Sequence, residues 1–402
     1  VKTAAFVFVV LLILTAQKTF AVSNACSLLQ AALPDDVQMS ETEVTAYRLK
    51  LQNECWWMQA YQELKSQLLS RYQLTPEQIS EYQAMRFIRR ADYETAKATE
   101  VPVELIYQIK RDQYQLPLDQ RSSVIWDNWS KGILQLTNLR SAIQNGEAFT
   151  YAKLEQAHVN FFQLSDEVGD DANPPHPGVM KPPVPSDYYW WELSGPQEAA
   201  EAKAVTSAIN NHYKELGLLP NFPEAKLNLV IDVRQAVRRQ PPEKKNVIEY
   251  VWVVFSGQTR ANMTHLQNIL KFVQHMLTQA LQNRTLIWNG KALTPAEVAM
   301  LAQKFYVGVH PFAEGNGRTG RLMQELILTV MDMPHGSSGD LMDYDVLTTF
   351  PDYYRRAMQS NVQLMHKMKT CLEIYRQNSP EELIQTDQRA IDYSCRILAV
   401  KN

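Results

Sequence analysis

The chain has 402 residues, of which 45% are hydrophobic and 21% charged, and its formal net charge is −3. These are the proportions of a soluble globular protein with room for one large or two ordinary domains. They exclude a general nucleic-acid binder, which would carry a basic excess.

Residues 1–25 read as a secretory signal peptide. Lys2 supplies the positive start, Ala4 to Ala16 is an almost continuous apolar run, and small residues follow at Ala21, Ser23 and Ala25. The run is short for a transmembrane helix. Cleavage after Ala21 and cleavage after Ala25 both fit, and a retained anchor is the alternative. Cleavage before Cys26 would open that cysteine to lipidation, although Ser23-Asn24-Ala25 lacks the leucine of a lipobox. Val1 stands where Met is expected, which reads as an alternative bacterial start codon or a truncated chain. The expectation is an exported protein, periplasmic or secreted. Cys26 and Cys55 near the mature N-terminus, and Cys371 and Cys395 near the C-terminus, agree with export. One local disulfide at each end is allowed, but the spacing does not select among the possible pairings.

Residues 26–117 read as a helical N-terminal domain. Ser40-Glu41-Thr42-Glu43 and Thr75-Pro76-Glu77-Gln78 are capping boxes. The first opens a long helix whose apolar positions include Tyr47, Leu51, Trp56, Tyr61 and Leu64, and Trp56-Trp57 reads as core packing. Helices continue over 118–165. One ends at Asn145-Gly146, an ordinary helix stop, and Thr150 to Phe162 forms the next. The prolines from Pro174 to Pro185 make 166–187 a loop. Tyr188 to Trp191 and Val247 to Phe255 are the strand-like runs. Residues 192–240 between them read as a helical insertion.

Residues 262–283 carry Leu266, Ile269, Leu270, Val273 and Met276 at helical spacing. Thr294-Pro295-Ala296-Glu297 is a third capping box. It opens a helix with Val298, Leu301, Ala302, Phe305 and Val309 on one face, which delivers His310 at its end. Residues 343–376 return to helix, and 366–402 form a C-terminal tail. His158, His265, His275 and His366 fall within helical patterns and read as surface or core residues. The sequons at Asn128, Asn262 and Asn283 read as chance in a bacterial chain.

The chemistry concentrates in His310-Pro311-Phe312-Ala313-Glu314-Gly315-Asn316-Gly317-Arg318-Thr319-Gly320-Arg321. A histidine titrates at about 6.5 and can take a proton near neutral pH. Glu314 offers hard oxygen to a magnesium ion. Gly315 and Gly317 let the backbone turn its amides toward an anion, and Asn316 adds a side-chain donor. The apolar run that follows, Leu322, Met323, Leu326 and Ile327, makes the glycine turn a helix N-terminus, which favours phosphate. Arg318 and Arg321 lie three apart on its first turn, a pair of forked cations for phosphate oxygens.

This stretch resembles the signature of the Fic family, His-Pro-Phe-x-Asp/Glu-Gly-Asn-Gly-Arg-x-x-Arg, at every specified position. The resemblance implies a mainly helical, all-α fold with a small β-hairpin flap, over a catalytic domain at 118–365. The flap would hold a target segment as an extra strand, with 178–191 and 247–255 both candidates for it. The resemblance also implies transfer of AMP from ATP, with Mg²⁺, to a Ser, Thr or Tyr hydroxyl of a target protein. His310 would be the base, Glu314 the metal ligand, and Gly315, Asn316, Gly317, Arg318 and Arg321 the nucleotide-binding residues. Arg321 would lie nearest the γ-phosphate, and Phe312 would pack beneath the loop as a structural anchor. Relatives use other nucleotides or remove AMP, and a binding module without turnover is a further alternative. Many members carry a Ser/Thr-x-x-x-Glu inhibitory segment before the first core helix. Ser141 and Gly146 fit it, but Asn145 replaces the blocking glutamate, so a degenerate brake is expected.

Overall fold

The structure is a computed structural model. It describes residues 22–72, 136–162 except 137, 190–193, parts of 200–218, 230–235, 248–253, 263–309, 311–312, 316–334 and 348–377. Residues 1–21, the capping box at Thr75, the proline-rich loop and Cys395 lie outside the described residues, as does the side chain of Cys371. The helices are α1 (Ala25–Gln30), α2 (Glu41–Tyr72), α3 (Tyr151–Phe162), α4 (Met263–Leu281), α5 (Pro295–Val309), α6 (Asn316–Val330) and α7 (Phe350–Gln377). The strands are β1 (Trp190–Leu193), β2 (Val230–Gln235), β3 (Ile248–Val253), β4 (Ile287–Trp288) and β5 (Lys291–Ala292). The fold is mainly helical, as the sequence implies.

Local chemistry sets where the N-terminal helices begin. Asn24 caps α1, accepting from the N–H groups of Cys26 and Ser27 at 3.1 Å each, while the Ser27 hydroxyl accepts from the Asn24 N–H. At the other end of α1, Arg48 donates to the carbonyls of Leu29 and Ala31. Ser40 and Glu43 form their reciprocal box, with the Ser40 N–H 2.8 Å from Glu43 Oε2 and the Glu43 N–H 3.3 Å from Ser40 Oγ. A disulfide joins Cys26 of α1 to Cys55 of α2.

These helices share one hydrophobic core with the rest of the described chain. Val22 and Ser23 are buried, and the Ser23 N–H donates to the Ala280 carbonyl at 3.0 Å. Tyr47, Leu51, Trp57 and Tyr61 are the buried face of α2, whereas Trp56 is 54% exposed. The reading of both tryptophans as core is corrected on this point. Trp57 lies one helical turn before Tyr61 and falls on the buried stripe, and its neighbour does not.

The strand-like runs are not alternatives. β1 and β3 pair antiparallel, Trp190 opposite Val253 and Leu193 opposite Tyr250. β2 pairs with the other edge of β3, Val230 opposite Val253 and Gln235 opposite Ile248, giving the order β1-β3-β2. Among the described residues of 192–240, the helical ones lie between 200 and 215, and 230–235 are strand. The run Val230-Ile231-Asp232-Val233 carries the β-branched residues that favour a strand when one is available to pair with.

A further hairpin, β4-β5, turns at Asn289 and Gly290, both with positive φ (49° and 74°). Asn-Gly between short extended runs is the signal for such a turn. The hairpin closes the gap between α4 and α5. Its Gly290 carbonyl accepts from the Gln38 N–H at 2.7 Å, and Trp288 packs edge-on to Phe272.

Candidate active site

The helix leading into the motif is α5. Its start is fixed twice. Locally, the Thr294 N–H donates to Glu297 Oε2 at 3.0 Å, and the Glu297 N–H donates to Thr294 Oγ1 at 3.2 Å. From a distance, Glu54 of α2 accepts from the Ala296 N–H at 3.1 Å, from the Tyr354 hydroxyl of α7 at 2.6 Å, and from the Thr294 hydroxyl. Lys50 pairs with Glu297 at the same place. Glu54 is fully buried, and burial pushes its carboxyl up to about 7 even though three donors favour the charged form.

All fifteen residues of α5 are buried. The expectation of one apolar face is corrected here: α5 is a central helix enclosed by α4, α6 and α7. Gln303 and Lys304 find partners inside. Gln303 accepts from the Tyr353 hydroxyl at 2.7 Å, and Lys304 Nζ lies 5.6 Å from the centre of the Tyr353 ring. His265 of α4 meets Phe305 edge-on, and burial lowers its pKa to about 4, so it stays neutral.

α5 ends at Val309, and His310 is the next residue. His310, Ala313, Glu314 and Gly315 lie outside the described residues, as does the side chain of Arg318. Pro311 and Phe312 are buried. The Phe312 N–H donates to Asn316 Oδ1 at 2.9 Å, and Asn316 Nδ2 donates back to the Phe312 carbonyl at 2.7 Å. Asn316 thus closes the loop it belongs to, a role the sequence reading did not assign. The ring of Phe312 is stacked on His158 of α3, with centroids 3.8 Å apart.

α6 begins at Asn316, where the glycine turn was expected to open a helix. Leu322, Met323, Leu326 and Ile327 are buried, and so is Arg321, at 4% exposure. Gly317 leaves room beside that guanidinium, since a Cβ there would stand 3.3 Å from Arg321 Nη1. Gly320 is a packing residue that the motif does not specify. A Cβ there would stand 3.0 Å from Val307 and 3.1 Å from Tyr306, so α6 crosses α5 closely and a larger residue would need those side chains to give. A glycine inside a helical pattern was its signal.

A helix N-terminus with a buried guanidinium beside a glycine suits phosphate oxygens. The residues present therefore fit a phosphate group. Among the described residues no group of three or more His, Cys, Asp or Glu could hold a metal ion. The carboxylate proposed for that role, Glu314, lies outside them.

Ser141, Asn145 and Gly146 form a helix end. The Gly146 N–H donates to the Ile143 carbonyl and the Glu147 N–H to the Ala142 carbonyl, with Gly146 at φ 91°. This is a Schellman cap, in which the left-handed residue is glycine. Ser141, Asn145 and Gly146 are exposed.

Residues 236–328 match the model of the Fic/DOC family. Two solved structures are similar over most of the chain. One is a Fic-domain-containing signaling protein from Bacteroides thetaiotaomicron VPI-5482, at 11% identity and a TM-score of 0.34, covering 78% of this chain and 98% of that one. The other is a fragment of Fic-1 from C. elegans, at 12% identity and a TM-score of 0.31, covering 83% of this chain and 79% of that one.

Proposed function

We propose, from the match of residues 236–328 to the Fic/DOC family model, that this chain transfers AMP from ATP to a Ser, Thr or Tyr hydroxyl of a target protein. The observation that carries the reading is the start of α6. Arg321 is buried there beside side-chain-free Gly317, directly after the enclosed helix that leads into His310.

In the proposed reaction the acceptor oxygen forms a bond to the α-phosphorus, the bond from that phosphorus to the bridging oxygen breaks, and pyrophosphate leaves. The imidazole of His310 takes the hydroxyl proton. Arg318 and Arg321, with the amides of Gly315 to Gly317, bind the phosphates, so catalysis is mostly alignment and charge neutralisation. Glu314 would hold Mg²⁺, which supplies charge neutralisation at the phosphates when bound. Phe312, stacked on His158, is bonded at both peptide groups by Asn316.

Export completes the proposal, supported by the apolar run Ala4 to Ala16 and by the disulfide. The deciding experiment incubates the protein with Mg²⁺ and ATP labelled at either the α- or the γ-phosphate, alone and with candidate target proteins. Protein-bound α-label without γ-label, lost in His310→Ala, is the expected result. Transfer of γ-label, or no transfer to any protein, overturns it.

A further inference from the structure

The ring of His158, on α3, lies almost parallel to that of Phe312, with centroids 3.8 Å apart and planes inclined by 23°. Both residues are buried, at 3% and 1% exposure, and α3 packs against α6. The backbone of Phe312 is held separately, at both its N–H and its carbonyl, by Asn316. Phe312 is therefore fixed from two independent directions: its ring from α3 and its peptide groups from α6. It stands two positions from His310 and two from Glu314 in the chain.

We propose that His158 is a positioning residue, whose ring sets the depth and tilt of Phe312 and, through it, the position of the chain it belongs to. Its consequence for turnover rests on the nucleotidyl-transfer reading, while its hold on the loop does not. A flat aromatic face beneath Phe312 fixes the ring plane as well as its depth. An aliphatic side chain fills volume without fixing the plane. Removing the ring opens a space into which Phe312 can sink, and the loop moves with it. The guanidinium of Arg321 is carried by α6 itself and does not depend on that stack. Loss of the stack should therefore disturb alignment of the base more than affinity for the nucleotide. A displacement of about 1 Å at a reacting group can cost two orders of magnitude in rate.

The test uses the full chain as wild type, His158→Ala and His158→Phe. Hydrogen–deuterium exchange is followed in a peptide spanning 311–317 and, as a folding control, in α4. Steady-state AMP transfer gives kcat and KM for ATP. In His158→Ala the loop peptide should exchange about tenfold faster, with α4 unchanged, and kcat should fall at least tenfold with KM within about twofold. His158→Phe should return both readouts toward wild type.

A folded His158→Ala with a wild-type loop exchange rate overturns the proposal, and so does a loss confined to KM. Should His158→Ala fail to fold, His158→Phe alone decides. A protected loop supports the stack, and a fast-exchanging loop overturns it. If the wild type transfers no nucleotide, the transferase reading falls, and the exchange comparison still decides the role of His158.

Discussion

Asn316 holds both peptide groups of Phe312, accepting from its N–H at 2.9 Å and donating to its carbonyl at 2.7 Å. One side chain at the first residue of α6 thereby ties the loop back to the point where it leaves α5. Both bonds are buried, so neither is exchanged for water without cost.

Asn316→Ala should therefore loosen the loop. Two buried hydrogen bonds at about 1 kcal/mol each give an expected destabilisation of roughly 2 kcal/mol, read by chemical unfolding. Asn316→Asp keeps the acceptor for the Phe312 N–H and loses the donor to its carbonyl. It also brings negative charge to the helix start proposed to bind phosphate, so its ATP affinity should fall below that of Asn316→Ala. Equal affinities in the two variants would count against phosphate binding at this helix start.

Gly317→Ala separates stability from binding. Alanine is a better helix residue than glycine by about 1 kcal/mol in a helix interior, and less at an end. Its Cβ would press on Arg321 Nη1 at 3.3 Å and displace the guanidinium. The melting temperature should hold or rise while the dissociation constant for ATP increases about tenfold, the equivalent of one charge-assisted hydrogen bond. Arg321→Ala should weaken ATP binding at least as much, whereas His310→Ala should leave it intact and abolish transfer. Calorimetric titration with ATP distinguishes the three.

Glu54 makes stability depend on pH. Its folded pKa of about 7 lies above the ordinary 4.5 because burial penalises the carboxylate. The folded protein therefore binds this proton more tightly than the unfolded chain does. The associated stability is complete below about pH 4.5 and is lost as pH rises through about 7, on the order of 3 kcal/mol in all. Glu54→Gln should flatten this part of the profile. Its amide oxygen can accept from the Ala296 N–H, and its NH₂ can donate to the hydroxyl oxygens of Thr294 and Tyr354. Thermal melts of wild type and Glu54→Gln between pH 5 and 8, as order-of-magnitude bounds on that window, check it. A parallel pair of curves would refute the assignment.

The proposed leader and the disulfide make a joint prediction at the N-terminus. Removal after Ala25 would delete buried Val22, Ser23 and Ala25 together with Asn24, the cap of α1. Loss of the cap alone costs about 1 kcal/mol. N-terminal sequencing of protein from its native compartment should give Val22, with Cys26 unlipidated because its sulfur is bonded to Cys55. Cys55→Ser should cost roughly 3–4 kcal/mol for a cross-link across 29 residues. A Cys26 start carrying lipid, or a variant as stable as wild type, would contradict this.

The sequence alone determined what is settled within a turn of chain. Ser40 with Glu43, and Thr294 with Glu297, cap their helices because donor and acceptor are three residues apart and meet as soon as the first turn forms. The start of α6 in the glycine turn was legible from the apolar run that follows it. Tertiary structure decided what covers each element. Glu54 lies on the buried face of α2, 240 residues or more from the Thr294 and Ala296 groups it accepts from. α5 is buried on every side by partners that its own spacing does not name. β2 became a strand because β3 offered it an edge, and His158 came to lie under Phe312 because α3 packs on α6. Hydrogen bonds over three or four residues are encoded where they form, whereas burial and ring stacking depend on which distant surfaces meet.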